Sequence, residues 1–69
     1  MEELKLRDEF IKLGQAMKAA GIVSSGIDAK MLIQDGQVTV NGEVETRRGK
    51  KLYDGDVFAF EGEEFKVVK

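Results

Sequence analysis

Four cations in five positions, Arg47-Arg48-Gly49-Lys50-Lys51, are the residues of this chain best placed to do chemistry, and that chemistry is anion binding. Lysine supplies a compact positive charge. Arginine adds a planar fork that meets two oxygens of a phosphate at once. The surrounding chain is acidic: 69 residues hold 11 Lys and Arg against 13 Asp and Glu, a net charge of −2. The charge is unevenly spread, because seven of the basic residues and only four of the acidic ones lie between Lys12 and Lys51. An anion responds to the local field and not to the total, so the middle of the chain is where a polyanion would settle. Taken alone, the run reads more readily as a solvated loop than as a binding site.

Other chemistry is poorly supplied. The chain has no His and no Cys, which excludes disulfides, thiolate zinc sites and imidazole ligands. The hydroxyls of Ser24, Ser25, Thr39 and Thr46 have no base beside them in sequence. The carboxylates sit at the terminus (Glu2, Glu3), in a turn (Asp54, Asp56) and around a hairpin (Glu61, Glu63, Glu64), without the regular spacing of a cation-binding loop. No enzyme and no cofactor are expected. The N-terminus lacks an apolar signal core and no apolar run reaches membrane-spanning length, so the expectation is a cytoplasmic protein with no membrane partner.

The elements that must position the cations are legible from periodicity. Leu4-Lys5-Leu6-Arg7 alternates as a short strand does. Leu13, Ala16, Met17 and Ala20 then share one face of a helix over 12–20, with Gly21 as its stop. Ser25, followed by Asp28, has the spacing of a helix N-cap with an acid in the first turn. In that second helix Ala29, Leu32 and Ile33 face inward, Lys30 and Gln34 outward, and Gly36 ends it. From Gln37 the period becomes two: Val38 and Val40 point one way, Asn41-Gly42 is a strong hairpin signal, and Val44 should resume the apolar side. Tyr53-Asp54-Gly55-Asp56 reads as another turn. Val57–Phe60 and Phe65–Val68 flank Gly62-Glu63 as a second hairpin, with Phe58, Phe60 and Phe65 as core. The fold class expected is α+β, two short packed helices against a small, mostly antiparallel sheet.

From Lys12 to Val57 this pattern resembles the RNA-binding domain of the ribosomal protein S4 type, the alpha-L RNA-binding motif, in its small stand-alone bacterial form. The resemblance is carried by Ser25, Ala29-Lys30, Leu32-Ile33, Gly36-Gln37-Val38-Thr39-Val40-Asn41-Gly42, and Leu52 with Gly55-Asp56. It implies one RNA-binding domain over residues 1–69, with a motif core at 12–57. The implied function is non-enzymatic binding of structured RNA, ribosomal or transfer RNA, through its phosphate backbone. The positions it implies are Lys12 and Ser25 at the helix starts, Lys30 and Gln34 on the second helix, and the turn-and-strand region ending at Asn41. Two positions depart from the pattern: Gly26 stands where many members have Arg, and Gly14 where an acid is common.

Residues and resemblance together give an expected RNA-binding set of Lys12, Ser25, Lys30, Gln34, Asn41, Arg47, Arg48, Lys50 and Lys51. The partner expected is structured RNA, ribosomal RNA or the ribosome, and the state expected is a monomer. A second expectation of a different class is a protein-interaction module that docks on a ribosomal protein or an enzyme through Glu61, Glu63 and Glu64. The RNA reading requires the second helix and the basic loop to share one positive face, unneutralised by the chain's own acids.

Overall fold

The computed structural model describes residues 1–69. Strand β1 (Glu2–Lys5) and the two-residue β2 (Ile11–Lys12) lead into helix α1 (Leu13–Ala19). Helix α2 (Gly26–Gln34) follows, then β3 (Val38–Val40), β4 (Glu43–Val44), β5 (Lys51–Leu52), β6 (Val57–Phe60) and β7 (Glu63–Val68). A five-stranded sheet runs in the order β1-β7-β6-β3-β4, and β2 pairs separately with β5. All its pairings are antiparallel except β1 with β7, which is parallel. This is the α+β class with a mostly antiparallel sheet that the sequence predicts.

Both helices form for the expected reasons. Leu13, Ala16 and Met17 of α1, and Ala29 and Ile33 of α2, are buried, so each helix presents one apolar face. The two pack against each other. Ser25 caps α2, its hydroxyl accepting the Asp28 amide at 3.2 Å. Helix α1 has no side-chain cap at Lys12. The first turn of a helix leaves amides without intrahelical partners, and here the basic loop satisfies two of them: Leu13 donates to the Lys50 carbonyl at 2.8 Å and Gly14 to the Arg48 carbonyl at 3.0 Å.

The helices close over one face of the sheet. Val38 and Val40 of β3, Phe58 of β6, and Phe65 and Val67 of β7 are all buried, and they join the helix residues, Leu6 and Leu52 in one core of 12 apolar side chains. Phe58 and Phe65 are cross-strand partners with ring centroids 5.2 Å apart. Phe60, predicted as core, is half-buried at its edge.

Three local expectations are corrected. The first strand lies at Glu2–Lys5, not 4–7, because its partner β7 ends at Val68; Leu6 still donates its amide to Val68 and is buried, while Arg7 is free of the sheet. Val44 does not return to the apolar side. It pairs with Thr39, and directly opposed residues share a face, so Val44 stands outward with 61% of its surface exposed. The second hairpin turns at Glu61-Gly62, one residue earlier than predicted, since Phe60 pairs with Glu63. Both turn residues have positive φ, 51° and 82°, as a two-residue type I′ turn requires. The Asn41-Gly42 turn, with φ of 52° and 86°, has the predicted form.

Candidate nucleic-acid interface

The loop between β4 and β5 carries the basic run, and its backbone is held against the start of α1. The β2–β5 ladder pairs Ile11 with Leu52 and Lys12 with Lys51. Together with the two amide–carbonyl bonds from Leu13 and Gly14, it fixes where each cation of the loop emerges. Gly14 lies directly against the loop: a Cβ there would be in ordinary van der Waals contact with Arg48, 3.6 Å from its Cβ and from its carbonyl oxygen.

The four cations leave this anchored backbone in different directions. Arg48 points toward the helices. With Gly49 it forms one wall of a cleft of about 250 Å³, whose other walls are Lys12, Gly14, Gln15 and Lys18 from the start and outer side of α1 and Gly26 from the start of α2. Three cations and no acid line it. Gly26 and Ile27 donate no hydrogen bond within the chain, so α2 also turns free amides and the positive end of its dipole toward this region.

Arg47 and Lys50 lie on the opposite side of the loop, around a hollow shared with Asn41, Glu43, Glu45 and Asp56. Arg47 is bound to Glu45, Nε to Oε2 at 2.9 Å and Nη2 to Oε1 at 3.1 Å, and its backbone amide donates to Oε2 at 3.0 Å. The Arg47 side-chain hydrogen bond holds the Glu45 carboxyl down at about 2, from an ordinary 4.5, with help from the backbone bond and from the positive charges of Arg47 and Lys50. The same pairing raises the Arg47 guanidinium. Lys51 takes a third direction, its Nζ 4.8 Å above the centre of the Phe10 ring.

The remaining predicted positions divide in the same way. Lys30 is exposed one turn along α2 from Gly26 and makes no ion pair. Gln34 borders a shallow hollow with Met31, Leu32, Asp35 and Gln37, apart from the cleft. The Ser25 hydroxyl serves as the cap. The Asn41 side chain is an internal clamp: its Oδ1 accepts the Val57 amide at 2.9 Å and its Nδ2 donates to Asp56 at 3.1 Å. The structure thus brings Lys12 and Arg48 together and places Arg47, Lys50 and Lys51 elsewhere. The single positive face expected of the second helix and the whole loop is corrected: Arg48 alone of the loop cations lies with the α2 start, and Arg47 is neutralised by Glu45.

Sequence reasoning missed Lys18, which completes the cleft. The signal was present: Gly14, Gln15 and Lys18 lie three and four residues apart, on the side of α1 opposite the buried Leu13, Ala16 and Met17. No group of His, Cys, Asp or Glu residues converges to hold a metal, and no helix is long and apolar enough to cross a membrane.

A packed pair of short helices, the second capped by Ser25, an Asn-Gly hairpin and a basic loop folded onto the helix starts define a class of small nucleic-acid-binding modules. Residues 4–68 match the S4 domain, and the chain belongs to that family. It is 44% identical over 66 residues to the probable ribosome maturation protein RlbA of Bacillus subtilis (strain 168), an alignment covering 94% of this chain and 93% of that one. It is 40% identical over 58 residues to YbcJ of Escherichia coli (strain K12), covering 84% and 83%. The solution structure of E. coli YbcJ, which reveals an αL motif involved in RNA-binding, superposes with a TM-score of 0.75 at 36% identity, covering all of this chain and 89% of that one.

Proposed function

We propose that this protein is a non-enzymatic RNA-binding protein that seats the phosphate backbone of a folded RNA in the cleft between the two helix starts and the basic loop. The observation that carries the proposal is the convergence of Lys12, Lys18 and Arg48, with no acid among them, on a chain whose net charge is −2. Membership of the S4 domain family and the likeness to E. coli YbcJ support the same reading. Lys30 adds one further exposed cation a turn along α2 from Gly26, and the exposed Glu61, Glu63 and Glu64 at the β6–β7 turn orient the approach by repelling a polyanion.

Contacts of this kind read shape. Cations spaced around a cleft neutralise phosphates without presenting a pattern to base edges, and folded RNA is recognised largely by its backbone geometry. The name of the B. subtilis relative, a ribosome maturation protein, supports ribosomal RNA or an assembly intermediate as the RNA class, and with it a cytoplasmic site of action.

The test is a salt titration of binding to a structured ribosomal RNA fragment, with wild type beside the triple variant Lys12→Ala/Lys18→Ala/Arg48→Ala. Each phosphate contact contributes roughly 0.9 to the slope of log affinity against log salt. The variant should therefore bind more weakly, with a slope shallower by about two to three. Unchanged affinity and slope would exclude the cleft as the RNA site.

A further inference from the structure

A second and larger hollow lies beside the first. It has a volume of about 600 Å³ and is walled by residues 4–8 and 10–12 of the N-terminal segment and by Gln15 and Ala19 of α1. Lys12 and Gln15 line both hollows, so the two adjoin along the outer side of α1. Its volume falls within the range of roughly 300–1,000 Å³ typical of small-ligand sites.

The composition of its wall is specific. One part is apolar, from Leu4, Phe10, Ile11 and Ala19; the other carries Lys5, Arg7 and Lys12, with Asp8 as its single acid. The cations are available. Neither ion pair of the chain, Arg47 with Glu45 and Lys69 with Glu9, involves any of them. In the second pair Glu9, two residues from Arg7, is engaged by Lys69 at 3.0 Å. The Phe10 ring is fixed in the wall by Lys51 at 4.8 Å and by Tyr53 at 5.8 Å, centre to centre.

We infer that this N-terminal hollow takes one unpaired nucleotide of the RNA, with its base against Leu4, Phe10 and Ile11 and its phosphate toward Lys5 and Arg7. The inference rests on the RNA reading above and extends it from backbone contact to a splayed-out base. An unpaired nucleotide combines an apolar, stackable ring with an adjacent phosphate, and single-stranded RNA is bound by that combination. Asp8 supplies an acceptor for a ribose hydroxyl or an exocyclic amine, and tolerates no second phosphate near it. Lys12, common to both hollows, bridges the phosphate of the paired strand and that of the unpaired one.

The experiment compares a blunt RNA duplex with the same duplex carrying a single-nucleotide bulge or overhang, titrated against wild type, Arg7→Ala and Ala19→Glu. Arg7 and Ala19 are both exposed, so the folded state should survive either change, with circular dichroism as the check. Wild type should prefer the RNA with the unpaired nucleotide about tenfold. Both variants should lose that preference while holding the blunt duplex within about twofold. Equal affinity of wild type for the two RNAs, or a preference that persists in both variants, would overturn the inference and leave the cleft reading standing. Absence of binding to either RNA would instead sink the RNA reading itself. A parallel NMR titration with AMP separates the sources of the nucleotide: perturbed amides at residues 4–12, without any preference between the RNAs, would assign the hollow to a free nucleotide and overturn the strand assignment.

Discussion

Glu45 grips Arg47 three times, through the guanidinium at 2.9 and 3.1 Å and through the backbone amide at 3.0 Å. The residues are two apart, so these bonds close a small turn at the head of the basic loop, and Lys50 closes the next by donating its amide to the Arg47 carbonyl at 3.2 Å. The Glu45 side chain is only 13% exposed while that of Arg47 is 70% exposed. The first cation of the run is therefore a fastening of the loop. Its charge is largely cancelled before any ligand arrives.

Removing the carboxylate should release that charge. Glu45→Gln keeps an oxygen to accept the Arg47 hydrogen bonds and removes one negative charge beside the interface. Affinity for a structured RNA should rise severalfold at low salt, with a slope of log affinity against log salt steeper by up to about one. Arg47→Ala should weaken RNA binding less than Arg48→Ala, since only Arg48 lines the cleft. Fluorescence anisotropy across a salt series measures both. An equal loss in the two alanine variants would show that Arg47 leaves Glu45 to bind RNA.

The same pair sets an acid limit on stability. The folded state holds Glu45 at about 2, below its ordinary 4.5. A carboxyl whose folded pKa is depressed contributes stability above its unfolded value, and loses it as pH falls through the folded one. The contribution should be whole at neutral pH, decline below about pH 4.5 and vanish near pH 2. Urea unfolding of wild type and Glu45→Gln at pH 7, 4 and 2.5 should show the difference between them shrinking as pH falls. A gap that stays constant would mean that Glu45 acts through packing alone.

Asn41 offers a purely structural prediction. It holds the left-handed conformation, with φ of 52°, and its side chain joins β3 to the start of β6 through Val57 and Asp56. Asn41→Ala loses both hydrogen bonds and the tolerance for positive φ, a cost of about 2–3 kcal/mol. Asn41→Gly relieves the backbone and should cost less. Denaturant midpoints rank the two. RNA affinity of the folded Asn41→Gly variant should match wild type, because the side chain already has internal partners.

What the sequence disclosed, and what it hid, follows from the range of the interactions. The Ser25 cap, the buried faces of both helices and the Asn41-Gly42 turn are set by neighbours within a few residues, and they stand where periodicity put them. The pairing of β1 with β7 joins the two ends of the chain in parallel, and nothing local to Glu2–Lys5 encodes it. The outward position of Val44 depends on a register across the turn that one valine cannot reveal. The candidate site shows the same division. Counting charges finds the loop, but the directions of Arg47, Arg48, Lys50 and Lys51 come from its anchoring on Leu13 and Gly14, which no count of residue types contains. Lys18, lacking a cluster of its own, gains meaning only once α1 and the loop are adjacent.

Gly26 is the position where the cleft can be strengthened. It lies at the start of α2 and lines the cleft, and a Cβ there would meet nothing within 4 Å. Its φ is not positive, so a side chain brings no backbone strain, and arginine has the better helix propensity. Gly26→Arg should add a fourth cation to Lys12, Lys18 and Arg48. The expected result is an RNA affinity higher by about tenfold near physiological salt, with a slope steeper by about one, because one more phosphate is neutralised. Thermal stability should be unchanged or slightly lowered, because the positive end of the α2 dipole and the charges of Lys12, Lys18 and Arg48 oppose the gain in helix propensity. Gly26→Gln controls for side-chain bulk and should leave the slope as it is. If Gly26→Arg tightens binding no more than Gly26→Gln does, phosphates do not pass the start of α2, and the path of the RNA must lie along the loop and α1 alone.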